Sequence, residues 1–174
     1  MAVKLLGHRL HPILITFPIG LLGGSLVFDI AYLATDSTRW SGISFWLLIA
    51  GVVSGLIAAP FGTLDWLSIA NGTRAKRIGL FHGATAIVSL AIFSFSAWLR
   101  HGSPTSPDTS AFAWSFVAGA LLLLAGWLGG ELVERLGVGV DPGAHADSPN
   151  SLTGLPASHS SSLAAGSKAV SNRT

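Results

Sequence analysis

The chain has 174 residues, half of them hydrophobic and only 10% charged, with a formal net charge of +2 and a mean hydropathy of +0.61. Soluble domains carry about a quarter charged residues, so this sequence cannot cover a water-exposed surface and reads as an integral membrane protein, with lipid solvating its outer faces. The small net charge gives no footing for nucleic acid, and the lack of cysteine excludes disulfides, thiolate metal sites and thioether-linked haem.

Lys4 and Arg9 precede an apolar run, as in a signal sequence, but the run is longer than a secretory h-region and no small-x-small cleavage site follows it. A retained first span is expected over residues 12–34. Pro12 would take the first helical position, where a missing N–H costs nothing, with His11 beside the cap. A turn at 35–39 leads to a second run at 41–64, a basic loop at 71–77 to a third at 78–99, and a Gly/Pro/Ser loop to a fourth at 111–133. Each is near the ~20 residues that a crossing needs. Pro18 and Pro60 lie inside spans and predict kinks. Small residues recur four apart in every span, as Gly20/Gly24, Gly51/Gly55/Ala59, Gly79/Gly83 and Gly126/Gly130. Such rows let backbones approach where lipid offers no hydrophobic drive between helices.

The expected fold is therefore all-α: residues 1–138 form a bundle of four antiparallel transmembrane helices, either compact by itself or completed by partners or a second copy. Residues 139–174, rich in Ser, Ala, Gly and Pro, predict a disordered polar tail in which His145 and His159 are solvated. An even number of crossings puts Lys4, Arg9, Arg74, Lys76, Arg77 and Arg135 on the face of the N-terminus, and only Arg39 and Arg100 opposite. The positive-inside rule then sets both termini in the cytoplasm. Trp40, Trp98, Trp114 and Tyr32 at the far face, with Trp66 and Trp127 at the near one, fit interfacial belts.

The same alternation brings distant residues to one end of the bundle. His8 and His11 open the first helix, Asp65 closes the second, His82 lies in the first turns of the third and Glu131 in the last turns of the fourth. All five fall within a slab ~10 Å deep, given the helical rise. Three imidazoles and two carboxylates suit a transition metal, and two imidazoles on facing helices suit a b-type haem. Gly79, Gly83, Gly129 and Gly130 would leave room for a macrocycle or a quinone head. Helix N-termini favour neutral imidazole, and carboxylates at helix C-termini favour a nearby cation. The competing reading is a polar network that locks helices together: His8 and His11 solvated at the interface, Asp65 paired with Arg74 or Arg77, Glu131 with Arg135. His82 resists it most, since ionisable groups inside spans are rare and tend to be functional. Asp29 is apart, ~27 Å from His11 on the same helix face, with Arg39, Arg100, Ser94 and Ser96 as candidate partners.

His11-Pro12, Phe17-Pro18-Ile19-Gly20, Asp29, Gly62-Thr63-Leu64-Asp65-Trp66, His82 and Gly126-Trp127-Leu128-Gly129-Gly130-Glu131-Leu132-Val133 with Gly137-Val138-Gly139-Val140 together resemble a bacterial family of predicted membrane proteins of unknown function. The resemblance covers residues 8–140. It implies four spans in a bacterial inner membrane and, because members are sometimes joined to Rieske-type iron–sulfur domains, electron-transfer company.

Two functions follow as expectations. One is a membrane subunit, not an enzyme by itself, whose cytoplasmic-side cluster binds haem b or a transition metal and serves electron transfer with a redox partner. Its ligands would be His82 with His11 or His8, and Asp65 and Glu131 would orient the imidazoles. The other is a non-catalytic structural or assembly subunit. No matched interrupted helices mark an inverted-repeat transporter, and no nucleophile motif accompanies the histidines.

Overall fold

The computed structural model describes residues 3–160. Four apolar helices long enough to cross a membrane dominate it: Leu10–Thr35, Thr38–Leu67, Arg74–Arg100 and Thr109–Arg135. Before them, β1 (Lys4–Leu5) and β2 (His8–Arg9) form a short antiparallel hairpin, turned by Leu6 and Gly7 at positive φ. The first span divides into α1 (Leu10–Leu14) and α2 (Thr16–Thr35). The break at Ile15 falls one turn before Pro18, which has no N–H to return to the Leu14 carbonyl. The helix starts at Leu10, earlier than Pro12 suggested. Pro12 still lies in the first turn, whose N–H groups have no helical acceptor. By contrast, α3 (Thr38–Leu67) runs through Pro60 uninterrupted.

Side chains cap the later helices. Thr73 accepts from the Lys76 N–H at the start of α4 (Arg74–Arg100), and Asp108 accepts from the Ser110 N–H at the start of α5 (Thr109–Gly130). Those bonds from Ser110 hold the Asp108 carboxyl below its ordinary range. After Gly129-Gly130 the chain widens into a π-helical turn, Glu131–Arg135.

Large apolar side chains such as Phe17, Trp46, Leu56, Phe81, Leu123 and Trp127 stay exposed along all four spans. Inward faces add small polar residues to the apolar ones: Ser25, Ser41, Ser44, Ser89, Ser96 and Ser115 are fully buried. So apolar an exterior is stable only with hydrocarbon outside. Helices α2 and α3 make one close hairpin, α4 and α5 a second, and the hairpins pack on each other. Between them lies a core of Leu22, Leu48, Phe93, Ala97 and Ala118.

Glycines set the close approaches. A Cβ at Gly51 would stand 2.6 Å from Leu22, at Gly55 2.7 Å from Leu90, and at Gly79 2.8 Å from Trp66. The rest of the small-residue pattern is corrected: Gly20, Gly83, Gly126 and Gly130 face open space, and the fourth span touches its neighbours at Gly119 and Gly129.

The two hairpins are versions of one another. A shift of 71 residues, the separation of Asp29 and Arg100, carries His11 onto His82 and each buried residue of α2 (Pro18, Leu22, Ser25, Asp29) onto a buried residue of α4 (Ser89, Phe93, Ser96, Arg100). A slightly shorter shift carries the buried Ser44, Phe45, Leu48, Gly51 and Ala58 of α3 onto the buried Ala111, Phe112, Ser115, Ala118 and Ala125 of α5. The repeats run in the same direction, so an approximate two-fold axis lies along the bundle, as in parallel-repeat membrane proteins. A residue that touches its own mate lies on that axis. His11 meets His82 and Asp29 meets Arg100.

Residues 137–160 form turns and one 3-10 turn, Ser151–Thr153, and dock on the N-terminal hairpin. Lys4 Nζ lies 2.7 Å from Asp141 Oδ1, and Ser151 Oγ donates to the Leu6 carbonyl at 3.2 Å. The remainder of the expected disordered tail, from residue 161, lies outside the described residues.

Candidate functional site

The histidine end of the bundle carries two imidazoles seated alike. His11, in the single turn of α1, lies flat over Gly62 of α3. A Cβ there would stand 2.7 Å from the ring's Cε1 and 3.0 Å from both nitrogens. Its Nδ1 is 3.2 Å from the Ala58 carbonyl oxygen. His82 of α4 lies over Gly129 of α5, where a Cβ would stand 3.2 Å from Cε1, and its Nδ1 is 2.8 Å from the Ala125 carbonyl oxygen. Each acceptor stands one helical turn before its glycine. The missing side chain admits the ring to the groove, and the carbonyl fixes its rotation.

A carbonyl can only accept, so Nδ1 carries the hydrogen in both rings. In the neutral imidazole, Nε2 then keeps its lone pair. A metal-binding histidine is held in this way, with one nitrogen donating to a carbonyl or carboxylate and the other presented as ligand. The ring centroids are 6.4 Å apart with planes at 82°.

The other predicted site residues sit around this pair in different company. His8 lies on the exposed β2, with Nδ1 3.2 Å from the Leu6 carbonyl oxygen. Arg9 Nη1 lies 3.3 Å from Asp65 Oδ1, and Arg74 Nη2 lies 2.6 Å from Glu131 Oε1. Both carboxylates stand at helix C-termini, where the backbone's negative end needs a cation nearby. In each hairpin an arginine near the start of the first helix supplies it to the end of the second. The acceptors that orient the imidazoles are thus backbone carbonyls rather than Asp65 and Glu131. Neither Arg74 nor Arg77 takes Asp65, and Arg135 does not take Glu131 in this arrangement. Among the described residues, no group of three or more His, Cys, Asp or Glu could hold a metal ion.

At the far end, Arg100 grips Asp29 with both terminal nitrogens, at 2.7 and 2.8 Å, and both side chains are wholly buried. Ser44 donates to the same carboxylate. Ser96 and Ser115 accept from Arg100 at 3.2 and 2.9 Å, and Ser96 passes its own hydrogen to the Ala111 carbonyl at 2.7 Å. The guanidinium also lies 4.8 Å from the centre of the Phe112 ring. Of the partners weighed for Asp29, Arg39 lies over Trp40 instead, and Ser94 bonds the Leu90 carbonyl.

Sequence reasoning missed the Ala58 and Ala125 carbonyls, the two arginine clamps and the repeat itself. One signal was available: Asp29 follows His11, and Arg100 follows His82, by the same interval of about five helical turns.

Comparison with curated proteins and with solved structures yields no match for this chain. A family model matches residues 7–142, in keeping with the four apolar spans, and the chain belongs to the family described as predicted membrane protein (DUF2231).

Proposed function

We propose that this chain is an electron-transfer protein of the bacterial inner membrane, with both termini cytoplasmic, in which His11 and His82 would hold one b-type haem. The observation that carries this is the pair of imidazoles, each with Nδ1 pinned to a helix carbonyl, at a centroid spacing of 6.4 Å.

The donor count favours haem over a bare ion. Two imidazoles leave a bare ion short of ligands, while Asp65 and Glu131 are spent on arginines. A haem iron takes four nitrogens from its macrocycle and asks the protein for two at most. When bound, the group supplies one-electron transfer to a redox partner. The Ala58 and Ala125 carbonyls hold the imidazoles in the ligating tautomer, and the Arg9–Asp65 and Arg74–Glu131 pairs hold the helix ends that carry them.

The test is an absorption spectrum with iron content on protein purified in mild detergent. A Soret band that shifts on dithionite reduction, with one iron per chain, is expected, and His82→Ala and His11→Ala should each abolish it. Colourless protein without stoichiometric iron, after expression with added haem precursor, would overturn the reading. The second reading, a structural or assembly subunit, draws on the same bonds, because each imidazole also bridges two helices. It predicts that His82→Ala lowers the melting temperature while no cofactor is lost.

A further inference from the structure

A second site lies beside the histidine end. A cavity of about 440 Å³ opens between the loop before α4 and the segment after α5. Its polar floor is Arg9, Ser68, Thr73 and Arg74, and its walls include the aliphatic Leu136 and Val138. Gly139, at φ +95°, lets the backbone close over Arg9: a Cβ there would stand 3.4 Å from Arg9 Cδ and 3.6 Å from Nε.

The guanidiniums have donors left over. Arg9 reaches Asp65 through Nη1 alone, at 3.3 Å, and its Nε is shielded from solvent with no hydrogen-bond partner among the described residues. A buried donor left unmade is costly. Arg74, which lines the cavity, engages Glu131 through Nη2. Asp65 and Glu131 balance these two charges, so unspent donors rather than excess positive charge set the chemistry of the cavity. Of the neighbouring cations, Lys76 is occupied by the Trp66 carbonyl, at 2.8 Å, and by the Trp66 ring.

We infer that this cavity binds a phosphate ester on an apolar body, with the Arg9 and Arg74 guanidiniums on the phosphate oxygens and the aliphatic wall against the body. Phosphate accepts several charge-assisted bonds from arginine, and the end of a membrane bundle places headgroup phosphates at this depth. A phospholipid headgroup and free phosphate share this chemistry.

Native mass spectrometry and thermal unfolding of the full chain in mild detergent test the inference with three probes: phosphatidylglycerol, diacylglycerol of the same chains, and inorganic phosphate. Phosphatidylglycerol should bind at least tenfold more tightly than diacylglycerol and raise the melting temperature. Arg9→Lys, which keeps the charge facing Asp65 but lacks the guanidinium fork, should weaken binding about tenfold. Ala70→Leu, on the exposed rim of the cavity, should weaken it with little effect on unliganded stability. Inorganic phosphate stabilising as strongly as the lipid would assign the site to free phosphate. Diacylglycerol binding as well as phosphatidylglycerol, or both variants binding as wild type does, would overturn the inference.

Discussion

Asp29 and Arg100 offer the sharpest test of the bundle's architecture. Both are fully buried, two bonds at 2.7 and 2.8 Å join them, and Ser44, Ser96 and Ser115 complete the network. Removing one partner leaves an uncompensated charge in a dry interior, at a cost of about 3–5 kcal/mol. For a bundle of this size, about 3–5 °C is lost per kcal/mol, so Asp29→Asn or Arg100→Leu should lower the melting temperature by roughly 10–20 °C. Replacing both residues by leucine should cost far less than either single change, because desolvation of the ions disappears with their attraction.

The decisive variant is the exchange, Asp29→Arg with Arg100→Asp. If the two positions are mates across an axis, the exchange restores the ion pair in mirrored places. The hydrogen bonds follow only in part: an arginine at position 29 keeps Ser44 as an acceptor, but near position 100 Ser96 gives its hydrogen to the Ala111 carbonyl and leaves Ser115 alone to donate to an aspartate. Recovery should therefore be more than half but incomplete. Thermal unfolding in detergent, followed by circular dichroism across the double-mutant cycle, measures it. An exchange variant no more stable than the worse single reversal, or an Asp29→Asn within about 0.5 kcal/mol of wild type, would refute the reasoning.

Identical glycine substitutions should differ in sign along the chain. Gly51→Ala pushes a methyl to 2.6 Å from the Leu22 side chain and 3.2 Å from its backbone nitrogen, so a loss of about 1–3 kcal/mol is expected from overpacking. Gly20→Ala meets nothing and should gain about 0.5–1 kcal/mol from helix propensity; equal melting temperatures for the two would contradict the packing. Gly62→Ala should dislodge the His11 ring and cost about 1–2 kcal/mol, while Gly129→Ala, whose methyl would stand a looser 3.2 Å from the His82 ring, should be near neutral as propensity offsets crowding. Lys4 holds the Asp141 carboxyl below its ordinary value of 3.8. That contact therefore contributes fully above about pH 4 and fades on further acidification. Amide exchange of Lys4–Leu5, corrected for its intrinsic rate, should speed up at pH 3 relative to pH 6 and stay flat in Asp141→Asn.

Span number, order and polarity are legible because they depend on composition over some twenty residues at a time, and lipid enforces that pattern without help from tertiary contacts. His11 and His82 were brought together by counting crossings, which fixes depth but not azimuth. Azimuth is where the reading lost resolution. Asp65 and Glu131 share the histidines' level, yet face arginines that no periodicity pointed to. Gly126 and Gly130 have ideal spacing but look outward, while Gly119 and Gly129 on the same helix make the contacts. Backbone acceptors such as Ala58 and Ala125 leave no mark in a sequence, because every residue has a carbonyl.

The repeat explains why the two ends of the axis differ, and this yields a last prediction. A residue on a two-fold axis meets its own mate, so a charged residue kept identical in both halves would face its like in a dry interior. Only a neutral residue, or a pair diverged to opposite charge, is stable there. Position 29/100 has diverged, and position 11/82 has stayed histidine in both halves, which a neutral imidazole permits. On the proposed function, two identical donors on an axis would serve a single ligand lying on it, whereas a mere helix lock needs no such identity. His11→Ala and His82→Ala should then be equivalent: the same loss of cofactor, and melting temperatures that agree within what about 1 kcal/mol produces. A chain that keeps its Soret band without one histidine and loses it without the other would place the ligand off the axis and break the link between repeat and function.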